Sequence, residues 1–490
     1  MKLFRSRWGR VLTGVVVLVL LLAAVVVYVG WDRLYREQPQ RLSSIRERFA
    51  YGSIGSETAQ GIPFEIWRVL PELFPQYLPH HGRGGYRALG FTMQQGRDVP
   101  VGFSKKTLGF PRVAFNCAAC HSGSFRTSQT GRRRVVLTAP ATRLDFEGYI
   151  RFLIACASDK RFTAGNILKA IERHTDLDAV DKVLYRFAII PRTRSALRDY
   201  RDRFRWTEKR PDWGRGRIDP FNPVKFYQLK IDQDTDHTIG NSDMEPLWQM
   251  AKKQGYALHW DGLNDSLIEV VLTGAIGDGA TSVTGKPTDK LPVRDLTRIA
   301  EYIKQVPAPK YPFPVDRRMA ARGKTVFADR CATCHEFGGR RTGKVIPLAE
   351  VDTDRHRLDM WTAQAATRYN DFAKRYPYRF KRFRKTNGYA SVPLDGVFLR
   401  APYLHNGSVP TVDDLLEPVS RRPKVFYRGY DVVARGALGF IDKGANARRE
   451  GFRYDTRVPG NSNQGHAGAK YGTDLSTPDK RALVAYLKTR

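Results

Sequence analysis

The chain has 490 residues, five of them cysteines, and carries 82 Lys plus Arg against 49 Asp plus Glu, a formal net charge of +33. That length excludes a single small module, because it supports two or more domains with substantial cores. In a cytosolic protein so basic a balance would suggest nucleic-acid binding, and the amino terminus argues against that compartment.

Lys2, Arg5, Arg7 and Arg10 precede an apolar run from Val11 to Val29 whose least apolar members are Thr13, Gly14 and Tyr28. At 1.5 Å per residue such a run crosses a hydrocarbon core of ~30 Å. A signal peptide usually has a shorter apolar region ending in an A-x-A-like cleavage site. Here Ala23-Ala24 is followed by Val25-Val26-Val27-Tyr28, and Trp31 suits an interfacial anchor. Residues 1–34 are therefore expected to form a cytoplasmic tip and an uncleaved transmembrane signal anchor. The chain would cross the inner (cytoplasmic) membrane once, N-terminus in the cytoplasm, with everything beyond it periplasmic. That placement sets nucleic acid aside, even for the basic, aromatic-interleaved residues 374–385. Two readings of the charge remain: a docking surface for anionic lipid or an acidic redox partner, or a solvated surface with no specific partner.

Few later segments alternate with period two, so the body is expected to be mainly α with long loops. Gly109-Phe-Pro-Arg-Val-Ala-Phe-Asn116 holds a glycine and a proline and reads as strand or loop. It leads into Cys117-Ala-Ala-Cys120-His121, and a second such string, Cys331-Ala-Thr-Cys334-His335, lies far downstream. C-x-x-C-H is the attachment site of a c-type haem: both cysteines form thioethers and the histidine becomes the proximal iron ligand. A thioredoxin-like C-x-x-C does not ask for that histidine, and a zinc site would need the two pairs to converge. Two covalently attached haems are expected, with His121 and His335 on the irons. Cys156, in an apolar run, is most simply a small buried hydrophobe.

Asp295 to Lys304 places Leu296, Ile299 and Ile303 on one helical face. Residues 306–315 hold four prolines and read as an extended linker. Arg317 to Phe327 reads as a helix leading into Cys331. Ser476 to Lys488 reads as a terminal helix, with a hydroxyl cap, Pro478 near its first position and Leu483 and Leu487 on one face. The endings Glu301-Tyr-Ile-Lys304 and Ala485-Tyr-Leu-Lys488 match, so the chain looks like two consecutive cytochrome c-like units. The expected division is 1–34 for the tip and anchor, 35–306 for an elaborated N-terminal haem domain, 307–315 for the linker and 316–490 for a C-terminal cytochrome c domain.

Longer strings carry a family resemblance. They include Gly85-Tyr through Pro100-Val-Gly-Phe-Ser104, Val113 to His121, Gly214-Arg-Gly-Arg-Ile-Asp-Pro-Phe-Asn222 and Leu258-His-Trp-Asp-Gly-Leu-Asn264. Further on come Leu399-Arg-Ala-Pro-Tyr-Leu-His-Asn-Gly-Ser-Val-Pro-Thr411 and Gly460-Asn-Ser-Asn-Gln-Gly-His466. With these the chain resembles the di-haem cytochrome c peroxidase superfamily, and is more closely similar to the branch containing the di-haem rubber oxygenases. The resemblance implies two haem domains facing one another across an interface. It also implies a distal histidine at His466, with His405 beside the haem rather than on the iron. Calcium, which often lies between the haems of the peroxidases, is left open.

Axial ligation decides the chemistry, since iron with two protein ligands passes electrons and iron with a vacant position binds peroxide or O₂. For the second haem the candidates are His466, His405 and, as in a simple cytochrome c, Met360. For the first they are His174, His237 and His259, of which only His259 sits in a family-like string, beside Trp260. His259 could be a ligand, a distal acid/base, or a histidine hydrogen-bonded to Asp261 or backbone. Glu245 is another possible acid/base. Trp248 and Trp260 could relay electrons or simply fill a core, and Arg400 could pair with a haem propionate or with a surface carboxylate. Three functions stay open. Peroxide reduction with a small periplasmic electron donor is the plainest. The others are oxygenation of an apolar substrate and a pure electron carrier with both haems six-coordinate.

Overall fold

The computed structural model describes residues 7–280, 291–374 and 378–490. Lys2 and Arg5 of the basic tip, and residues 375–377 of the basic aromatic stretch, lie outside the described residues. Helices dominate what is described, with five small antiparallel sheets between them.

The first helix, α1 (Arg7–Leu34), leaves the body, and none of its apolar stretch is buried against the rest of the protein. By length and composition it could cross a membrane, a property a signal sequence shares. Its end is fastened to a three-stranded sheet of β1 (Ile62–Pro63), β2 (Phe103–Leu108) and β3 (Phe110–Phe115), in the order β1-β3-β2. The Gln38 N–H donates to Thr107 O (3.0 Å) and the Gly109 N–H to Arg36 O (2.8 Å). Gly109 turns the β2–β3 hairpin at φ +76°, and a Cβ there would collide with the Leu34 backbone. Glycine is required on both counts. The strand or loop expected over 109–116 is thus β3.

After α2 (Phe146–Ser158), which buries Cys156 fully, comes a near-continuous run of α3 (Ala179–Leu184), a π turn (Tyr185–Ile189) and α4 (Ile190–Phe204). Arg33, at the end of α1, pairs with Asp178 (2.7 Å) and Asp181 (2.8 Å) at the start of α3. Two helices follow, α5 (Leu267–Gly277) and α6 (Val293–Gln305). The buried face of α6 is Leu296, Ile299, Ala300 and Ile303, each large side chain contributing roughly 1.5–3 kcal/mol. Residues 306–316 carry no helix or strand.

Beyond them, α7 (Arg317–Arg330) opens on Asp316, whose carboxylate accepts from the Met319 N–H, and α8 (Thr477–Leu487) opens on Ser476. These two helices cross so closely that a Cβ on Gly323 would collide with the Ala482 carbonyl oxygen, and the Phe327 and Tyr486 rings meet 5.1 Å apart beside the crossing.

The two halves of the chain are interleaved. Trp361, Tyr369 and Phe383 pack into the core built by residues before 306, while Phe125, Ala139 and Trp248 pack into the core around Phe327, Val397 and Leu483. Ion pairs join the halves as well. The fully buried Asp431 carboxylate receives Arg126 (2.8 Å), Arg133 (2.6 Å) and the Ser124 hydroxyl, and Asp243 holds Arg428 at 2.8 Å.

Candidate functional site

Each C-x-x-C-H string is a tight turn at the end of a regular element. β3 runs into Asn116, whose side chain accepts from the Ala118 N–H (3.0 Å) and donates to Gly52 O, closing the turn that carries Cys117 to His121. The second string continues α7 through one more helical turn, Ala332–His335. Burial pushes the Cys117 and Cys331 thiols up to about 12, whereas a redox C-x-x-C needs a depressed thiol. The two pairs do not converge as a shared zinc site would require. Cys117 and Cys120 pack on the first core, Cys331 on the second, and Cys334 on a small cluster of its own with Tyr389 and Trp260.

Both histidines are held in the same way. His121 Nδ1–H donates to Glu245 O at 2.6 Å, and His335 Nδ1–H donates to Val392 O at 2.8 Å. A donor at Nδ1 fixes the tautomer and leaves the Nε2 lone pair for iron.

They differ in what faces them. His335 meets His466, the ring centroids 6.2 Å apart. A metal–imidazole bond of about 2 Å on each side, plus the half-width of each ring, calls for a separation of roughly 6 Å, so the pair fits a shared iron. His466 sits at φ +46° in a loop pressed onto its neighbours: its N–H donates to Val351 O (2.7 Å), and a Cβ on Gly465 would collide with the Asp352 backbone. Arg422 fastens that loop by donating to the carbonyls of Asn463 (2.6 Å), Gly465 (2.8 Å) and His466 (3.1 Å). Burial holds the His466 imidazole down at about 3, keeping it neutral as a ligand must be.

His121 instead opens, with Cys117 and Cys120, on a cavity of about 650 Å³. Among the described residues no imidazole makes a ring contact with it. His259, Glu245, Trp260 and Arg357 line the same cavity, together with aromatic residues that include Phe204, Trp213, Phe226 and Tyr227. His259 has φ +64° and packs edge-on to Phe221, ring centroids 5.5 Å apart. Its Nε2 is buried without a partner, and Asp261, the partner the sequence suggests, is taken by Arg357 at 3.2 Å. Burial and the nearby Arg357 push His259 down to about 3, while burial pushes the Glu245 carboxyl up to about 7.

The remaining candidates sort by position. His405 is buried, stacks on Tyr389 at 4.0 Å and hydrogen-bonds its hydroxyl at 3.0 Å, beside the second string. Met360 packs in the first core, His174 pairs with Glu72 at 2.9 Å in solvent, and His237 is exposed. Trp248 is fully buried and donates to Asp395 O (3.0 Å). Trp260 donates to Asp243 O (2.7 Å), lines the cavity and packs on the small cluster that Cys334 also packs on.

Arg400 lies 5.4 Å over the Trp248 ring and donates to Asp395 O (2.7 Å), with its Nε unpartnered. Lys253, which sequence reasoning missed, is 8% exposed, and its ammonium is 3.8 Å from the Met250 sulfur. Burial brings Arg400 down to about 10 and Lys253 to about 7. A buried lysine and a half-buried arginine without a carboxylate ion pair among the described residues suit the propionates of a haem. Nothing local in the sequence marks Lys253, since a lone lysine reads as surface.

Residues 388–427 match a protein-family model described as RoxA-like, cytochrome c-like. Two curated proteins of Sinorhizobium fredii (strain NBRC 101917 / NGR234) are each 30% identical: the uncharacterized protein y4iJ over 236 residues and the uncharacterized protein y4iM over 252. The matches cover 36% and 42% of this chain, and the chain spans 39% and 56% of those relatives. The family match supports the rubber-oxygenase-like branch of c-type cytochromes and implies haem c as the cofactor.

Proposed function

We propose that the chain is a membrane-anchored, periplasmic di-haem cytochrome of the peroxidase type, using its C-terminal haem for electron transfer and its N-terminal haem to reduce hydrogen peroxide. One observation supports this above the rest: His335 is faced by a second imidazole at 6.2 Å, and His121 by a cavity of about 650 Å³. Haem iron supplies one-electron transfer when both axial positions are filled and binds peroxide or O₂ when one is free.

Cys117, Cys120 and His121 would hold one haem, and Cys331, Cys334, His335 and His466 the other, with Arg400 and Lys253 as cations for propionates. His259, held neutral and with an unpartnered nitrogen, has the capacity to take a proton from peroxide and return it to the leaving oxygen. Glu245 is a second proton carrier in the same cavity. Trp260 joins the two sites by lining the cavity and packing on the same small cluster as Cys334, and His405 braces Tyr389 of that cluster. A net charge of +33 would favour a small acidic electron donor.

A second reading, oxygenation of an apolar substrate, draws on the aromatic wall of Phe204, Trp213 and Phe226 together with the RoxA-like match. Optical and EPR spectra of the purified full-length protein, with cyanide, imidazole or peroxide added, test the proposal. One haem should be high-spin and bind cyanide, and peroxide turnover should vanish in His121→Ala. Two low-spin haems that bind nothing would leave only an electron carrier. O₂-dependent cleavage of a polyisoprenoid without peroxide turnover would establish the second reading.

A further inference from the structure

We infer that Val180, Val183 and Phe187 form a second lipid contact, lying in the membrane interface beside α1. The inference rests on the reading of α1 as a membrane anchor. These three residues are 43%, 56% and 73% exposed, and Phe187 is the most exposed large apolar side chain among the described residues. Spacings of three and four put them on one face of α3 and the turn that follows. A contiguous apolar stripe on an otherwise strongly charged body marks an interaction surface.

Its place in the fold identifies the partner. The stripe begins within one helical turn of Asp178 and Asp181, the two residues that hold Arg33 at the end of α1. The same junction is braced from below, where Phe110 of the β2–β3 hairpin packs on Tyr185 with ring centroids 6.3 Å apart. Because the hairpin also binds Arg36 and abuts Leu34, α3 has a set position relative to the point where α1 leaves the body. Trp31 and Tyr35, at that point, are 51% and 64% exposed, as befits aromatic residues at a headgroup boundary.

The stripe's neighbours fit the same level. Lys182 and Arg186 flank it in solvent; Lys182 pairs with Glu172 at 3.0 Å, and the Arg186 guanidinium lies 5.9 Å from the Phe187 ring centre. An apolar face edged by long cations whose stems can lie along it is the composition of an interfacial helix on anionic lipid. Docking there would hold the body at a fixed tilt on the membrane instead of swinging from a single helix.

Spin labels on cysteines introduced by Val183→Cys and Phe187→Cys test this in the full-length haem-loaded protein. The vesicles would be phosphatidylcholine with a minority of phosphatidylglycerol. With haem attached at both strings their four cysteines would be consumed as thioethers, and Cys156 is fully buried, so the labels report single positions. Val19→Cys reads the anchor, Lys443→Cys reads a solvent-exposed surface, and an unchanged haem spectrum shows that each variant has folded. Accessibility to oxygen relative to a water-soluble nickel complex should be severalfold higher at 183 and 187 than at 443, approaching that at 19. Water-like values at 183 and 187 with a lipid-like value at 19 would overturn the second contact and leave the anchor standing. A water-like value at 19 would overturn the anchor, and the inference with it. Protection from both reagents at 183 and 187 would show a protein on this face and refute the lipid assignment.

Discussion

His466 stands opposite His335 with 6.2 Å between ring centroids, and it is held there by Arg422 and Gly465, not by contacts of its own ring alone. If this pair shares an iron, His466→Ala should convert one haem from low to high spin, and added imidazole should restore the original spectrum. Arg422→Ala keeps the imidazole but loosens the loop that positions it, stripping the Asn463, Gly465 and His466 carbonyls of a donor at a cost of about 1–3 kcal/mol. A weaker, partial spin conversion is expected there. An unchanged EPR spectrum in His466→Ala would remove His466 from the coordination sphere.

His259 provides a test that separates proton chemistry from simple ligand binding. If it serves peroxide, His259→Leu should lower peroxide turnover by about 10²–10⁴-fold while cyanide still binds. Equal turnover in the variant would leave His259 as a packing residue against Phe221. Loss of cyanide binding would point instead to collapse of the cavity.

Asp431 couples the two halves of the chain and should make stability fall in acid. Despite burial, the surrounding Arg133, Arg143 and Arg126 hold its carboxyl down at about 2, against an ordinary value of 3.8. Because the folded pKa is depressed, the unfolded chain binds the extra proton. The stabilisation, about 2 kcal/mol, is complete above pH ~4 and is lost as pH falls through the folded value near 2. Asp431→Asn should destabilise by about 2 kcal/mol near neutrality, since Arg133 and Arg143 lose their carboxylate and Arg126 keeps only Glu450, and should flatten the acid limb. Denaturant midpoints followed by tryptophan fluorescence between pH 2 and pH 7, with ~0.5-unit steps, would show an unaltered limb if Asp431 is not responsible.

Gly323→Ala tests the α7–α8 crossing. The added methyl would meet the Ala482 carbonyl, so the helices must part, at a cost of about 1–3 kcal/mol. Since Cys331 and His335 continue directly from α7, if each string holds a haem the spectrum of the one at His335 should broaden while that of the one at His121 is unchanged. An equally stable variant would mean that the crossing is looser than 5.1 Å between Phe327 and Tyr486 implies.

The legible parts of this chain are those in which chemistry is local. α1 could be read from its uninterrupted apolar run, α6 from the spacing of Leu296, Ile299 and Ile303, and α8 from Ser476 and Pro478. The two C-x-x-C-H strings stand out in the sequence because thioether attachment would demand two cysteines and a histidine within five residues. Lys253 and Arg357 were illegible, since what sets them apart is burial, Lys253 without a carboxylate and Arg357 against the distant Asp261, and burial is a property of segments brought together. The bond that orients His121 comes from Glu245 and the one that orients His335 from Val392, both through backbone carbonyls that any residue type would offer.

Contiguous residues are enough to mark a haem c chain with two C-x-x-C-H strings behind an apolar amino-terminal helix, because an attachment motif and membrane-length hydrophobicity are both local patterns. That the strings are unequal follows from their surroundings in three dimensions. A loop distant in sequence from Cys331 brings His466 to His335, while residues from several separate segments leave His121 facing an aromatic cavity. Those placements follow from packing and from closures such as Gly465 on Asp352 and Asp431 on three arginines. Their energies depend on distance in space and carry no signature in the order of residues along the chain.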